Sequence, residues 1–462
     1  MSTEGVGGSP LPADERVGVE EFGYRQELKR ALSFRDLLVY GMIFMVPIAP
    51  FGIFGYVLDA SRGMVALAYL VGMVAMFFTA MSYRAMSRDF PVSGSVYAYA
   101  QRGIGRAAGF FAGWLILLDY ILIPALLYVV SAAALAPLFP AVPKAAWVVG
   151  FLLVGMVVNL RGVELTARAS RVFLVLELTV LFAFLLVGLI ALYSGAGAGR
   201  LTLAPLYQPE VLTPAVIGAA VSVAALSFLG FDAISTLSEE VKDRRRGTVG
   251  RATLAALFLM GGLFILQTWV AADLSRGLTF RSLDTAFYEA AAVAGGSWLA
   301  LLTAGATALA WGVANSLVSQ AAISRILFAM ARDRQLPAPL ARVHPRFKTP
   351  HVSIVLVVLV SLVVALAFLD NVALLTSLVN FGALTGFLFL HASVIVHFLV
   401  RRGSRNYFSH LLLPGVGFGI IAYVLYSMGA ATWLLGLGWL AVGVLYYLVL
   451  TRVLRRDTAL EV

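Results

Sequence analysis

Cysteine is absent from all 462 residues. That excludes disulfides, thiolate-bound zinc, iron–sulfur clusters and cysteine nucleophiles. Charge is scarce as well: 13% of residues are Asp, Glu, Lys or Arg, against about a quarter in an ordinary soluble domain. There are only five histidines, and His391 and His397 stand six apart, the wrong spacing for two ligands on one helix face. No Walker sequence, HExxH or GxSxG occurs, so neither nucleotide-driven transport nor hydrolysis finds a motif. No cofactor and no metal are expected. Apolar residues are abundant instead, 61% of the chain, with a mean hydropathy of +0.91. A soluble fold is excluded on that composition. The net charge of +10 then reads as the basic bias of cytoplasmic membrane loops, not as a nucleic-acid footprint.

Residues 1 to about 24 are rich in Gly, Pro, Ser and acid without an apolar period, the composition of a disordered tail. The first strongly apolar run begins near Leu37, too long for a signal peptide and without a small-x-small site behind it. Twelve hydrophobic segments follow, at about 36–58, 64–83, 107–136, 145–160, 171–193, 213–239, 252–272, 284–331, 352–369, 372–399, 411–429 and 432–454. Continuous runs near 20 residues are membrane helices, not barrel strands. The eighth run is too long for one span and is expected to hold a short extracellular piece, one membrane helix and a cytoplasmic extension. With both termini inside, the extracellular side holds only Arg62, Lys144, Arg200, Arg276 and Arg281 of the 34 basic residues. That asymmetry supports twelve spans in this orientation.

Two segments are interrupted. The first reads Met45-Val46-Pro47-Ile48-Ala49-Pro50-Phe51-Gly52, where two prolines remove two backbone donors. The sixth reads Ser227-Phe228-Leu229-Gly230-Phe231-Asp232, a glycine beside an acid at mid-membrane depth. Interruptions five segments apart point to two inverted five-helix halves with a solute site between the half-helices. Two ordinary kinks are the plainer alternative.

The chain resembles the amino acid–polyamine–organocation superfamily, and within it the putrescine importers, over about Phe34 to Arg452. The resemblance rests on the loop Phe90-Pro91-Val92-Ser93-Gly94-Ser95-Val96-Tyr97-Ala98-Tyr99-Ala100-Gln101, on Gly113-Trp114 with Leu118-Asp119-Tyr120, and on Ser227 to Asp232 running into Leu237-Ser238-Glu239-Glu240-Val241-Lys242-Asp243. Met330-Ala331-Arg332-Asp333, His344-Pro345-Arg346-Phe347-Lys348-Thr349-Pro350 and Val379-Asn380-Phe381-Gly382-Ala383-Leu384 carry the rest. It implies an all-α, LeuT-type fold: a 5+5 inverted repeat over 34–193 and 194–400, with helices 1 and 6 broken. Two peripheral helices over 401–454 and cytoplasmic tails at 1–33 and 455–462 complete it. It also implies alternating-access transport in the cell membrane. The departure is Gly52, where polyamine importers of this kind carry an aspartate.

Each intramembrane charge needs a reason, because it costs about 2.5–3.5 kcal/mol on insertion scales. Asp232 follows the sixth break and resembles the acid of arginine/agmatine exchangers; it pairs with a substrate amine or carries a coupled proton, or else caps orphan amides of the broken helix. Glu239, seven residues on, is expected two helical turns away on the same face, while Glu240 turns toward the basic Lys242 and Arg244 to Arg246. Glu177 stands where proton-coupled relatives carry a lysine. It is read either as a proton carrier or as a snorkelling or hydrogen-bonded glutamate. Asp119 and Tyr120 point about 100° apart, and the resemblance favours Tyr120 in the site with Asp119 bonded inside the bundle. Phe51, Phe54, Phe228 and Phe231 flank the breaks, closing over substrate or simply packing.

The expectation is a proton-coupled secondary importer of a small amine-bearing solute, a polyamine before an amino acid. Its substrate contacts are Ile48, Ala49, Phe51, Gly52, Tyr120, Phe228, Phe231 and Asp232, and its proton groups Glu177 and Asp232. Its partners are substrate, protons and the lipid bilayer. A solute-gated channel or sensor and a membrane enzyme are the other classes considered; neither has a supporting domain or a nucleophile–base pair.

Overall fold

The computed structural model describes residues 32–91, 95–161, 163–242, 247–332, 336–345, 347 and 349–453. The tail 455–462, nearly all of 1–33, Arg244 to Arg246 and parts of the quoted loop motifs lie outside them. Ser33 opens the first helix with a capping box: its hydroxyl accepts from the Asp36 N–H, and the Asp36 carboxylate accepts from the Ser33 N–H at 2.8 Å. α1 (Phe34–Met45) then stops at Val46, whose φ of 55° no β-branched residue adopts without strain. Pro47 and Ile48 make the turn, and α2 (Ala49–Ala60) leaves with Pro50 in its first turn, bent 50° from α1.

α3 (Val65–Asp89), α4 (Ser95–Gly103), α5 (Arg106–Leu135), α6 (Lys144–Arg161) and α7 (Val163–Tyr193) follow. α8 (Pro214–Phe228) begins at a Thr213 cap with proline at its first position. It ends where Leu229 is extended and Gly230 takes φ 110°. The chain resumes as a 3-10 helix, Asp232–Glu240, so the sixth segment is interrupted as its glycine suggested. Beyond lie α9 (Thr248–Leu274), α10 (Ala286–Gly295), α11 (Ser297–Leu309), a π-helical stretch (Ala310–Asn315), α12 (Ser316–Arg332), α13 (His351–Ala367), α14 (Val372–Ile395), α15 (Leu413–Tyr426) and α16 (Ala430–Leu448). The overlong eighth run thus divides at Gly296 into the short α10 and one long helix.

Among the described residues nine helices are long and apolar enough to cross a bilayer, and the bent pair α1–α2 makes a tenth. The expected segments at 145–160 and 352–369 form shorter apolar helices, Lys144–Leu160 and His351–Ala367. No strand occurs among the described residues beyond an isolated parallel bridge between Leu32 and Val241. α5 is the central element: buried over nearly its whole length, it packs on α14, α4, α6, α11, α12 and α13. α16 lies largely exposed at the edge. It is held to α5 by a reciprocal pair of indole bonds, Trp114 Nε1 to the Trp439 carbonyl and Trp439 Nε1 to the Trp114 carbonyl, both 2.9 Å.

Candidate functional site

The two interruptions meet. Gly230 lies against Phe44, at the last turn of α1, so closely that a Cβ would fall 2.7 Å from the Phe44 ring and 3.0 Å from its carbonyl oxygen. The first break frees the Pro47 carbonyl, since no helix N–H reaches it. Gln267 of α9, fully buried, donates its Nε2 to that oxygen at 3.0 Å. A polar side chain thereby replaces the lost helical bond, as non-helical backbone at membrane depth requires.

A cavity opens at this junction. Its walls are Phe44, Met45, Val46 and Ala49 from the first break, Leu226 and Leu229 from the sixth, Ile123, Leu126 and Leu127 from α5, and Trp311, Asn315 and Ser319 around the π-helical stretch. Nine of these are apolar, while Asn315 and Ser319 supply an amide and a hydroxyl, the latter donating to Asn315 Oδ1 at 3.4 Å. The Trp311 indole N–H has no hydrogen-bond partner among the described residues. The wider turn of a π-helix, a device common at functional sites, sets these residues toward the break. Behind them Gln320 donates to the Tyr128 hydroxyl at 2.7 Å and accepts from Asn159 at 2.9 Å, fastening the segment to α5 and α6.

The expected contact residues distribute unevenly around this cavity. Ala49 lines it. Ile48, fully buried, caps α2 one residue earlier. Gly52 faces Val130 and Trp311, and a Cβ there would fall 2.7 Å from Val130 Cγ1, so the close approach of α2 to α5 leaves no room for an aspartate. Phe51 stacks on Phe287 of α10 at 3.8 Å, with Phe184 and Phe54 against the same ring, in an aromatic cluster outside the cavity lining. One turn on, the Tyr56 hydroxyl donates to Asp284 at 2.5 Å and ties α2 to the loop before α10. Phe228 turns away from the cavity, toward Tyr69, Phe264 and Gly72. Phe231 packs between Tyr83 and Phe387.

Asp232 is 5% exposed and accepts from the Gly230 N–H at 3.1 Å, with the N–H groups of Asp232 and Ala233 and the Tyr83 hydroxyl also about it. Its 3-10 helix alters the expected register. At three residues per turn, Asp232, Ser235 and Ser238 form one buried stripe, and Glu239 is rotated off the face of Asp232. Glu240 is near Arg325 of α12, and its carbonyl accepts from the Leu32 N–H at 2.9 Å. Glu177 is 4% exposed on the inward stripe of α7 that runs through Leu181 to Phe184, and its Oε2 has no partner among the described residues. Burial at that level sets snorkelling aside. Tyr120 and Asp119 are both buried, one turn before Ile123 on α5.

Sequence reasoning weighed charged and aromatic residues near the breaks and so passed over Trp311, Asn315, Ser319 and Gln267. The available signal was a cluster of polar residues, Asn315, Ser316, Ser319 and Gln320, in a run too apolar and too long for one span.

Several apolar helices, an interrupted pair of them in contact and a cavity at that contact define a multi-pass membrane carrier. The chain belongs to the amino acid permease family, whose model matches residues 36–455. It is a transporter of the amino acid–polyamine–organocation class, not an enzyme. It is 32% identical over 445 residues to the low-affinity putrescine importer PlaP of Escherichia coli K12, covering 93% of this chain and 96% of that protein. It is also similar to the methylthioribose transporter of Bacillus subtilis, at 28% identity over 92% of this chain and 94% of that one. The branched-chain amino acid permease BcaP of the same organism is 26% identical over the same shares.

Proposed function

We propose that this chain is a proton-coupled secondary importer of a small amine-bearing solute, a polyamine such as putrescine before an amino acid, working by alternating access in the cell membrane. The observation that carries the reading is Asp232, a buried carboxylate set by the interrupted sixth helix beside the junction where the cavity opens. An anion there suits an ammonium group through a charge-assisted bond. The putrescine importer among its relatives supports the same substrate class.

The reading includes twelve spans, with Lys144–Leu160 and His351–Ala367 as the two short ones. Residues 34–193 and 194–400 are the two halves of a LeuT-type inverted repeat, 401–454 the peripheral helices, and both termini are cytoplasmic. Ile48, Ala49, Phe51, Gly52, Tyr120, Phe228, Phe231 and Asp232 serve the substrate directly or by shaping the breaks. Glu177 carries the proton. A charged Glu177, with one oxygen unpartnered among the described residues, is costly at this depth, and the protonated form is less so, which suits the group to cycling.

A second reading is favoured by the cavity wall itself. No carboxylate is among its lining residues, and the Trp311 N–H and Asn315 amide are donors beside an apolar pocket. That chemistry suits the carboxylate and aliphatic body of a neutral amino acid. Counterflow in proteoliposomes decides. Saturable exchange of labelled putrescine that excess leucine leaves intact supports the amine; exchange of labelled leucine that putrescine leaves intact supports the amino acid. Linear, unsaturable flux of either would overturn a carrier.

A further inference from the structure

At one end of the bundle, on the side the proposed topology makes cytoplasmic, the ends of α4, α14 and α16 meet the start of α5. The last turns of α14 are π-helical (Val396–Arg401). There the Arg401 guanidinium donates to the carbonyls of Arg102 and Ile104 at the α4–α5 turn, at 2.6 and 2.5 Å. Arg402 binds Asp89 at 2.7 Å, a carboxylate shared with His397 at 2.8 Å. Arg106 opens α5 one turn before Phe110, on the same face. Phe110 packs with Trp114 and with Leu450 of the π-helical end of α16 (Val449–Val453), and Arg452 follows two residues later. Arg106, Arg401, Arg402, Arg405 and Arg452 are all exposed. The sequence has no Asp or Glu from 90 to 118 or from 371 to 456, so Asp89 of α3 is the carboxylate set against these cations.

The seam between α5 and α16 next to these arginines is aromatic. Tyr447 lies 4.9 Å from Phe110 and 5.3 Å from Phe111, ring centre to ring centre, and Trp114 stacks on Trp439 at 4.7 Å. Phe111, Tyr446 and Tyr447 are half-buried, which leaves ring surface for acyl chains. Tyrosine and tryptophan gather at headgroup level in a bilayer, so arginines one turn further along lie at the depth of lipid phosphates. A guanidinium suits a phosphodiester in both charge and geometry, and basic pockets between membrane helices hold anionic headgroups by this chemistry. We propose that Arg106 and Arg452, with Arg401 beside them, form a binding site for the headgroup of an anionic phospholipid whose chains lie along the aromatic seam. The lipid then joins the peripheral α16 to the central α5.

The test titrates purified full-length protein in detergent with phosphatidylglycerol or phosphatidylcholine and reads the thermal transition. Wild type is expected to show a saturable rise with phosphatidylglycerol that phosphatidylcholine does not give. Arg106→Gln combined with Arg452→Gln is expected to raise the phosphatidylglycerol needed for half the rise at least about tenfold, each surface arginine counting for about fivefold. Lysine at both positions keeps the charge and is expected to keep most of the response. Arg276→Gln combined with Arg281→Gln, two exposed residues beyond α9 at the other end of the bundle, is expected to respond as wild type. Equal rises with the two lipids overturn the site without recourse to any variant. A glutamine pair at 106 and 452 that keeps the wild-type midpoint overturns it too. So does a control pair that loses the response as well, since the effect is then diffuse surface charge. A rise reproduced by glycerol 1-phosphate alone assigns the arginines to a free anion and overturns the lipid.

Discussion

Asp232 and Glu177 are both buried carboxylates, but their surroundings differ. Asp232 accepts from the Gly230 N–H and stands beside Tyr83, so it is organised as an anion-holding corner of the sixth break. Replacing it with asparagine removes the charge while keeping an acceptor for the Gly230 N–H. Asp232→Asn is therefore expected to reduce uptake of a cationic substrate at least about tenfold, with the thermal transition nearly unmoved; unchanged uptake kinetics would return the residue to a capping role. Glu177 has one oxygen without a hydrogen-bond partner among the described residues, and glutamine mimics its protonated form. Glu177→Gln is expected to retain counterflow but to lose accumulation driven by an inward proton gradient, and wild-type accumulation is expected to survive replacement of sodium by choline. A variant that still concentrates substrate removes the proton from Glu177.

At the scale of elements, the junction of α1 with the sixth-segment break depends on one glycine. Gly230 has φ 110°, and a Cβ there would press on both the Phe44 ring and its backbone carbon and oxygen at 2.7–3.0 Å. The ring can turn aside; the backbone cannot without moving α1. Gly230→Ala is expected to cost about 1–3 kcal/mol from the backbone conformation alone, seen as a lower unfolding temperature in detergent, and to abolish counterflow. Adding Phe44→Ala is expected to restore little, because the clash with the carbonyl remains. Full recovery in the double variant would mean that only the ring mattered. The first break is built differently: its prolines prevent helical bonding, and Gln267 answers the exposed Pro47 carbonyl from a separate helix.

Across the whole molecule, the proposed orientation makes a prediction that the absence of cysteine renders simple to check. A single cysteine needs no background removal. Tyr207, between the fifth and sixth segments, and Tyr407, between the tenth and eleventh, are both well exposed. With both termini cytoplasmic, Tyr207→Cys is expected to react with a membrane-impermeant maleimide in intact cells. Tyr407→Cys is expected to react only after permeabilisation. The reverse pattern inverts the topology, and reaction of both from outside removes an odd number of the five intervening spans.

What the sequence by itself determined is what short stretches of chain decide alone. Apolar runs near bilayer length must be helices, because lipid offers the backbone no other partner. Pro47 and Pro50 cannot join the helical ladder, and Gly230 is the residue that tolerates a left-handed turn. The breaks and the helical character were legible for that reason. Which side chains face the cavity was not. In a soluble helix, polar residues mark the outward face, but here the lipid-facing and core-facing sides are both apolar, so the pattern carries no direction. Phe228 turning toward α3 and α9, the α5 stripe from Ile123 to Leu127, and the π-helical turn that brings Trp311 and Asn315 to the break were set by helix packing. So was the 3-10 register that moves Glu239 off the face of Asp232. Gln267 reaches the Pro47 carbonyl across 220 positions of chain, a pairing that only the folded bundle creates.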